Sequence, residues 1–108
     1  MSELGDKRRR FSKMVARLCL EAERLGYEYA LDFVRRCNDC PVGHPRSTHK
    51  AGLAVDLHLY KRSIDGDLVY IRDWEGHIEL HDYWDYMGGS ARIGNDANHY
   101  SLEWNGVR

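Results

Sequence analysis

The run Ala54-Val55-Asp56-Leu57-His58-Leu59-Tyr60 constrains this chain more than any other stretch. Val55, Leu57 and Leu59 are apolar, and small or polar residues fall between them. Successive side chains of a strand point to opposite faces, so the alternation predicts a strand buried on one face. Asp56 and His58 then project together from the other face. Asp is depleted in strands, and its place between Val and Leu points to a chemical reason. The plain alternative is a half-solvated strand whose polar residues face water.

His49 precedes Asp56 by seven residues, with Gly52 between them. Glycine accepts turn conformations that other residues resist, so a loop residue and a strand residue can converge. Neutral imidazole and carboxylate both bind zinc, at about 2.0–2.2 Å. A third ligand has to come from farther along. Near the C-terminus, His99 opens a second alternating run, with Tyr100, Leu102 and Trp104 on one face and His99, Ser101 and Glu103 on the other. Asp96 stands three residues before His99. The two segments supply two histidines, one carboxylate ligand and one spare carboxylate. A catalytic zinc takes three protein ligands, leaves a position for water and works with a nearby base.

Ser47-x-His49-x-x-Gly52-x-Ala54-x-Asp56-Leu57 resembles the Ser-x-His-x-x-Gly-x-Ala-x-Asp signature of the zinc D-alanyl-D-alanine peptidases. That family includes vancomycin-resistance dipeptidases and carboxypeptidases, and phage endolysins that cut the L-alanyl-D-glutamate bond of peptidoglycan. Asp96-x-x-His99 is similar to its second motif, an acid three residues before the last zinc ligand. The wording of the two segments looks most like the small phage members. Ala97-Asn98 departs from the family, which often has Pro before the last ligand; the difference bears on loop shape more than on chemistry.

The resemblance implies an α+β fold, a small antiparallel sheet packed on two helices in the manner of the Hedgehog/DD-peptidase-like zinc fold. It implies one Zn²⁺ held by His49, Asp56 and His99, with Asp96 as the base that takes a proton from water and returns it to the leaving amine. It further implies an arginine at the end of an early strand, facing the oxyanion. Position places that role on Arg36, with Arg35 one step away; a pair of surface arginines is the alternative. Ser47 would orient its loop or bond the substrate. His58 would flank the cleft and contact substrate, or orient a ligand from behind, and Glu103 stands on the face of His99. Carboxypeptidase, dipeptidase and endopeptidase actions all occur in the family. A short chain has little material for the lids a dipeptidase needs, which favours an endopeptidase on peptidoglycan stem peptides. A D-Ala-D-Ala carboxypeptidase and a non-catalytic zinc module are the alternatives.

At 108 residues the chain is expected to be one domain, residues 1–108, with no separate cell-wall-binding part. A formal net charge of −1 argues against a general polyanion binder, and a monomer without a nucleic-acid partner is expected. Lys7-Arg8-Arg9-Arg10 reads as a solvated helix end. No stretch reaches the roughly 18–20 apolar residues of a membrane span, and no apolar segment of a signal peptide follows the basic N-terminus. Synthesis in the cytoplasm is expected, with delivery to the wall by another agent such as a holin or a virion. Cys19, Cys37 and Cys40 are an odd set, read as free thiols. Cys37-x2-Cys40-x3-His44-x4-His49 also has the outline of a shortened zinc knuckle that would bind single-stranded nucleic acid, but its spacing is off and the interleaved basic and aromatic residues are missing.

Elsewhere Phe11, Met14, Val15, Leu18, Ala22 and Leu25 recur at helical spacing, predicting a helix over roughly residues 6–25 that Gly26 ends. Tyr27–Val34 reads as a strand. Asp65-Gly66 between Leu57–Arg62 and Leu68–Ile71 reads as a hairpin turn. Leu80, Tyr83, Trp84 and Met87 predict a second helix over about 76–87, closed by Gly88-Gly89. His77 and His81 on that helix have metal-ligand spacing, but no Glu follows His77 as in the His-Glu-x-x-His motif; they read as surface residues.

Overall fold

The computed structural model of the protein describes residues 3–32, 52–72, 74–92, 94 and 96–103. Helix α1 spans Glu3–Arg24 and buries Phe11, Met14, Val15, Leu18, Cys19 and Ala22 along one stripe. Helix α2 spans Trp74–Tyr86. Both helices stop in the same way. Gly26 and Gly88 have φ of 91° and 92°, the left-handed region that side chains disfavour. Gly26 N–H bonds Glu23 O while Tyr27 N–H bonds Ala22 O; Gly88 N–H bonds Asp85 O while Gly89 N–H bonds Trp84 O. This paired pattern satisfies carbonyls that the helix itself cannot reach.

Among the described residues four strands form one antiparallel sheet: β1 (Glu28–Asp32), β2 (Ala54–Arg62), β3 (Leu68–Ile71) and β4 (His99–Ser101). β2 is its axis. β1 lies along one edge, from Glu28 opposite Tyr60 to Asp32 opposite Asp56. β3 and β4 share the other edge, end to end, with Leu59 opposite Ile71 and Asp56 opposite His99. The β2–β3 connection turns on Gly66, whose φ is 87°; Gly66 N–H bonds Ser63 O and Ser63 N–H bonds Asp67 O. The architecture of the described residues is therefore α+β, two helices with a small antiparallel sheet.

Val55, Leu57 and Leu59 are fully buried and join Phe11, Leu18, Leu80, Trp84 and Tyr100 in one core. Each such side chain contributes about 1.5–3 kcal/mol on burial. Trp84 meets Phe11 and Tyr100 edge to face, with centroids 5.8 and 5.7 Å apart, the geometry that ring quadrupoles favour. Cys19 is a free buried thiol whose pKa burial pushes up.

Two expectations need correction. His77 and His81 are not on the surface: each is 1% exposed. They share a helical face with Leu80 and Trp84, at spacings of three and four, so the face that buries Trp84 buries them as well. The basic run of α1 is more than a solvated end. Lys7 Nζ donates to the Glu103 carbonyl, and Arg10 reaches the Met87 carbonyl just past the end of α2 at 3.5 Å, where a cation complements the helix dipole. Arg9 pairs with Asp6.

Candidate metal centre

The alternation of β2 sorts its side chains as the sequence requires. Val55, Leu57 and Leu59 go to the core, and Asp56 and His58 to the opposite face, both partly exposed. The register of β4 then places His99 directly across from Asp56, where side chains on one face meet at about 4.5–5.5 Å between Cβ atoms. The turn before β4 brings in the third group. His99 N–H bonds Asp96 O at 3.2 Å, closing the turn, and Leu57 N–H bonds Asn98 O at 2.8 Å, tying it to β2.

Asp56, Asp96 and His99 consequently offer ligand atoms within 4.8 Å of one another. His99 Nδ1 lies 3.7 Å from Asp56 Oδ1 and 4.0 Å from Asp96 Oδ2. Both separations exceed a direct hydrogen bond. They are near the spacing of about 3.4 Å between two ligands of a tetrahedral ion bound at 2.1 Å. An imidazole and two carboxylates also form a donor set that divalent cations take. These three residues could hold a metal ion. Exposure is graded across them: the side chain of His99 is 7% exposed, that of Asp56 30% and that of Asp96 46%. The imidazole is thus anchored in the fold and Asp96 faces solvent, where an incoming molecule can reach it.

His58 stands two residues along β2 on the same face as Asp56, and its Nδ1 is 3.0 Å from the Tyr70 hydroxyl. Tyr70 lies 5.3 Å from Tyr60, ring to ring, so an aromatic strip leads away from the carboxylates. Asp32, opposite Asp56 on β1, was not anticipated; only the register of β1 reveals it. His49, Ser47, Arg36 and Arg35 lie outside the described residues, as do Cys37, Cys40 and His44 of the knuckle outline. Gly52 of the first motif has φ of 74°, and a Cβ there would lie 3.2 Å from Arg8 Nε.

Beneath the cluster lies a buried polar layer that the sequence did not suggest. His77 Nδ1 is 2.7 Å from the Tyr100 hydroxyl, and His81 Nε2 is 2.7 Å from the Ala97 carbonyl. Burial, with His81 and His58 nearby, pushes the His77 pKa down to about 4. Burial likewise lowers that of His81 and raises that of Tyr100, so all three are neutral at neutral pH. The helical periodicity holds the missing signal: His77 is seven residues before Trp84 and three before Leu80. Among the described residues no helix is long and apolar enough to cross a membrane. Comparison with protein-family models, with curated proteins and with solved structures finds no match to this chain.

Proposed function

We propose that the chain is a zinc metallopeptidase acting on peptidoglycan stem peptides, with the L-alanyl-D-glutamate bond as its target and the Hedgehog/DD-peptidase-like zinc fold as its scaffold. The observation that carries this reading is the convergence of Asp56, Asp96 and His99, which belong to the two motifs through which the sequence resembles the zinc D-alanyl-D-alanine peptidases. Asp56 and His99 would hold the zinc, with His49 as the third ligand that the resemblance implies. Zinc bound there supplies Lewis acidity, which polarises an amide carbonyl and lowers the pKa of a water to about 7.

The chain's own residues do the rest. Asp96, the most exposed of the three, takes a proton from the attacking water at a carboxylate oxygen and returns it to the leaving nitrogen. Arg36 faces the oxyanion in this reading, since a guanidinium presents fixed donors to a localised negative charge. His58 flanks the cleft and Ser47 bonds substrate or its own loop. The wording of the motifs, closest to the small phage members, favours the endopeptidase over the carboxypeptidase.

Metal content of the wild type, His99→Ala and Asp96→Asn, measured beside digestion of purified peptidoglycan, tests the reading. The wild type should carry one zinc and His99→Ala none. Asp96→Asn should keep its metal while hydrolysis falls about 10²- to 10⁴-fold. New D-glutamate amino termini in the digest support the endopeptidase. Release of D-alanine alone identifies a carboxypeptidase, and zinc without hydrolysis identifies a non-catalytic module. Loss of metal from Asp96→Asn would make Asp96 a ligand and end its role as base.

A further inference from the structure

Helix α2 aims three ring side chains at the segment that carries Asp96 and His99. His77 meets the Tyr100 hydroxyl, His81 the Ala97 carbonyl, and Trp84 Nε1–H donates to the Ser101 carbonyl at 3.0 Å. His81 is the one whose contacts fall on either side of His99. A carbonyl only accepts, so its Nε2 carries the proton. Its ring also lies flat on Tyr100, with centroids 4.1 Å apart and planes within 11°. Ala97 directly follows Asp96, and Tyr100 directly follows His99. A single side chain therefore holds the turn on both sides of His99.

Packing alone does not account for a histidine here. Its Nδ1 is buried with no hydrogen-bond partner among the described residues. A buried polar atom left unsatisfied is destabilising, and a phenylalanine would fill the space and stack without it. We infer that His81 is a positioning residue: its Nε2–H and ring hold the Asp96–His99 turn in the shape that presents both side chains to Asp56. The turn is then tied by three backbone acceptors, with Asp96 O bonded within the turn, Asn98 O bonded to β2 and Ala97 O bonded to α2. The first two bonds set its local form; the third joins it to the helix that the core anchors. The consequence for metal binding rests on the zinc reading above, whereas the positioning itself does not.

Two variants separate positioning from packing. His81→Phe keeps a ring on Tyr100 and removes the donor. His81→Gln puts an amide nitrogen near the Nε2 position and keeps the donor without the ring. Zinc affinity by chelator competition should weaken on the order of tenfold in His81→Phe and return to within about threefold of the wild type in His81→Gln. In the metal-free protein, amide hydrogen exchange at His99 and Leu57 should speed up in His81→Phe and recover in His81→Gln, while exchange at Leu18 in α1 is unchanged. Wild-type affinity and exchange in His81→Phe overturn the inference. So does an equal loss in both variants with exchange raised evenly across α1 and β2, which is the signature of packing alone. If the wild type takes up no zinc, the metallopeptidase reading falls and exchange decides the inference: faster at His99 in His81→Phe alone upholds it, and no change overturns it.

Discussion

His77 is a titratable group held away from water by the core. Its folded pKa of about 4 lies below the ordinary value of 6.5, so the unfolded chain takes up the proton first as pH falls. Above about pH 6.5 the group has no effect on stability; stability is lost as pH drops from there to about 4, and levels below. The full loss from this group is about 3 kcal/mol. Urea unfolding at pH 7 and pH 4.5 should show a larger drop in the wild type than in His77→Gln, which has no proton to gain. Tyr100→Phe leaves the His77 imidazole without its hydroxyl partner and should cost about 1–3 kcal/mol at pH 7 in the same measurement. Polarity alone misplaces such residues. A lone histidine on a helix is read as exposed because neutral imidazole burial depends on a partner, here Tyr100, which lies on another element. Asp56 was different: its surroundings in the chain, Val55 and Leu57, already set its face.

At the scale of elements, α2 shows how much a local pattern carries. Its end at Gly88-Gly89 was legible because left-handed backbone selects glycine. Its buried face was legible only in part: Leu80 and Trp84 are in the core, Tyr83 and Met87 pack against it, and the face turns toward His77 and His81. The junction of α2 with β4 is tight. A Cβ on Gly89 would lie 2.0 Å from the Trp84 indole, so Gly89→Ala must displace the ring that bonds Ser101 O. Thermal unfolding should show a loss of about 1–3 kcal/mol. Gly94→Ala, where no described residue lies within 4 Å of the added carbon, should leave the midpoint near the wild-type value. The place of the β2–β3 hairpin was legible, since Asp65-Gly66 sits between two strand-like runs; its register, with Arg62 opposite Leu68, was not.

For the whole molecule, β2 serves both layers: its apolar face seals the core and its polar face carries Asp56 to the cluster. A metal held by Asp56 and His99 would link β2 to β4 and bind the folded state alone. Zinc at a hundredfold excess over its dissociation constant should then add about 2.7 kcal/mol, and a chelator should lower the melting temperature on the order of 10 °C. Asp56→Ala should melt at the same temperature with and without chelator. By itself the sequence determined where both helices stop, the place of the hairpin and the face on which Asp56 stands, because each depends on residues a few positions apart. Only the tertiary structure decided that His99 lies opposite Asp56, that Asp32 flanks it, and that His77 and His81 are buried behind the turn. Those placements follow from strand register and helix docking, which are set by how distant apolar faces bury one another.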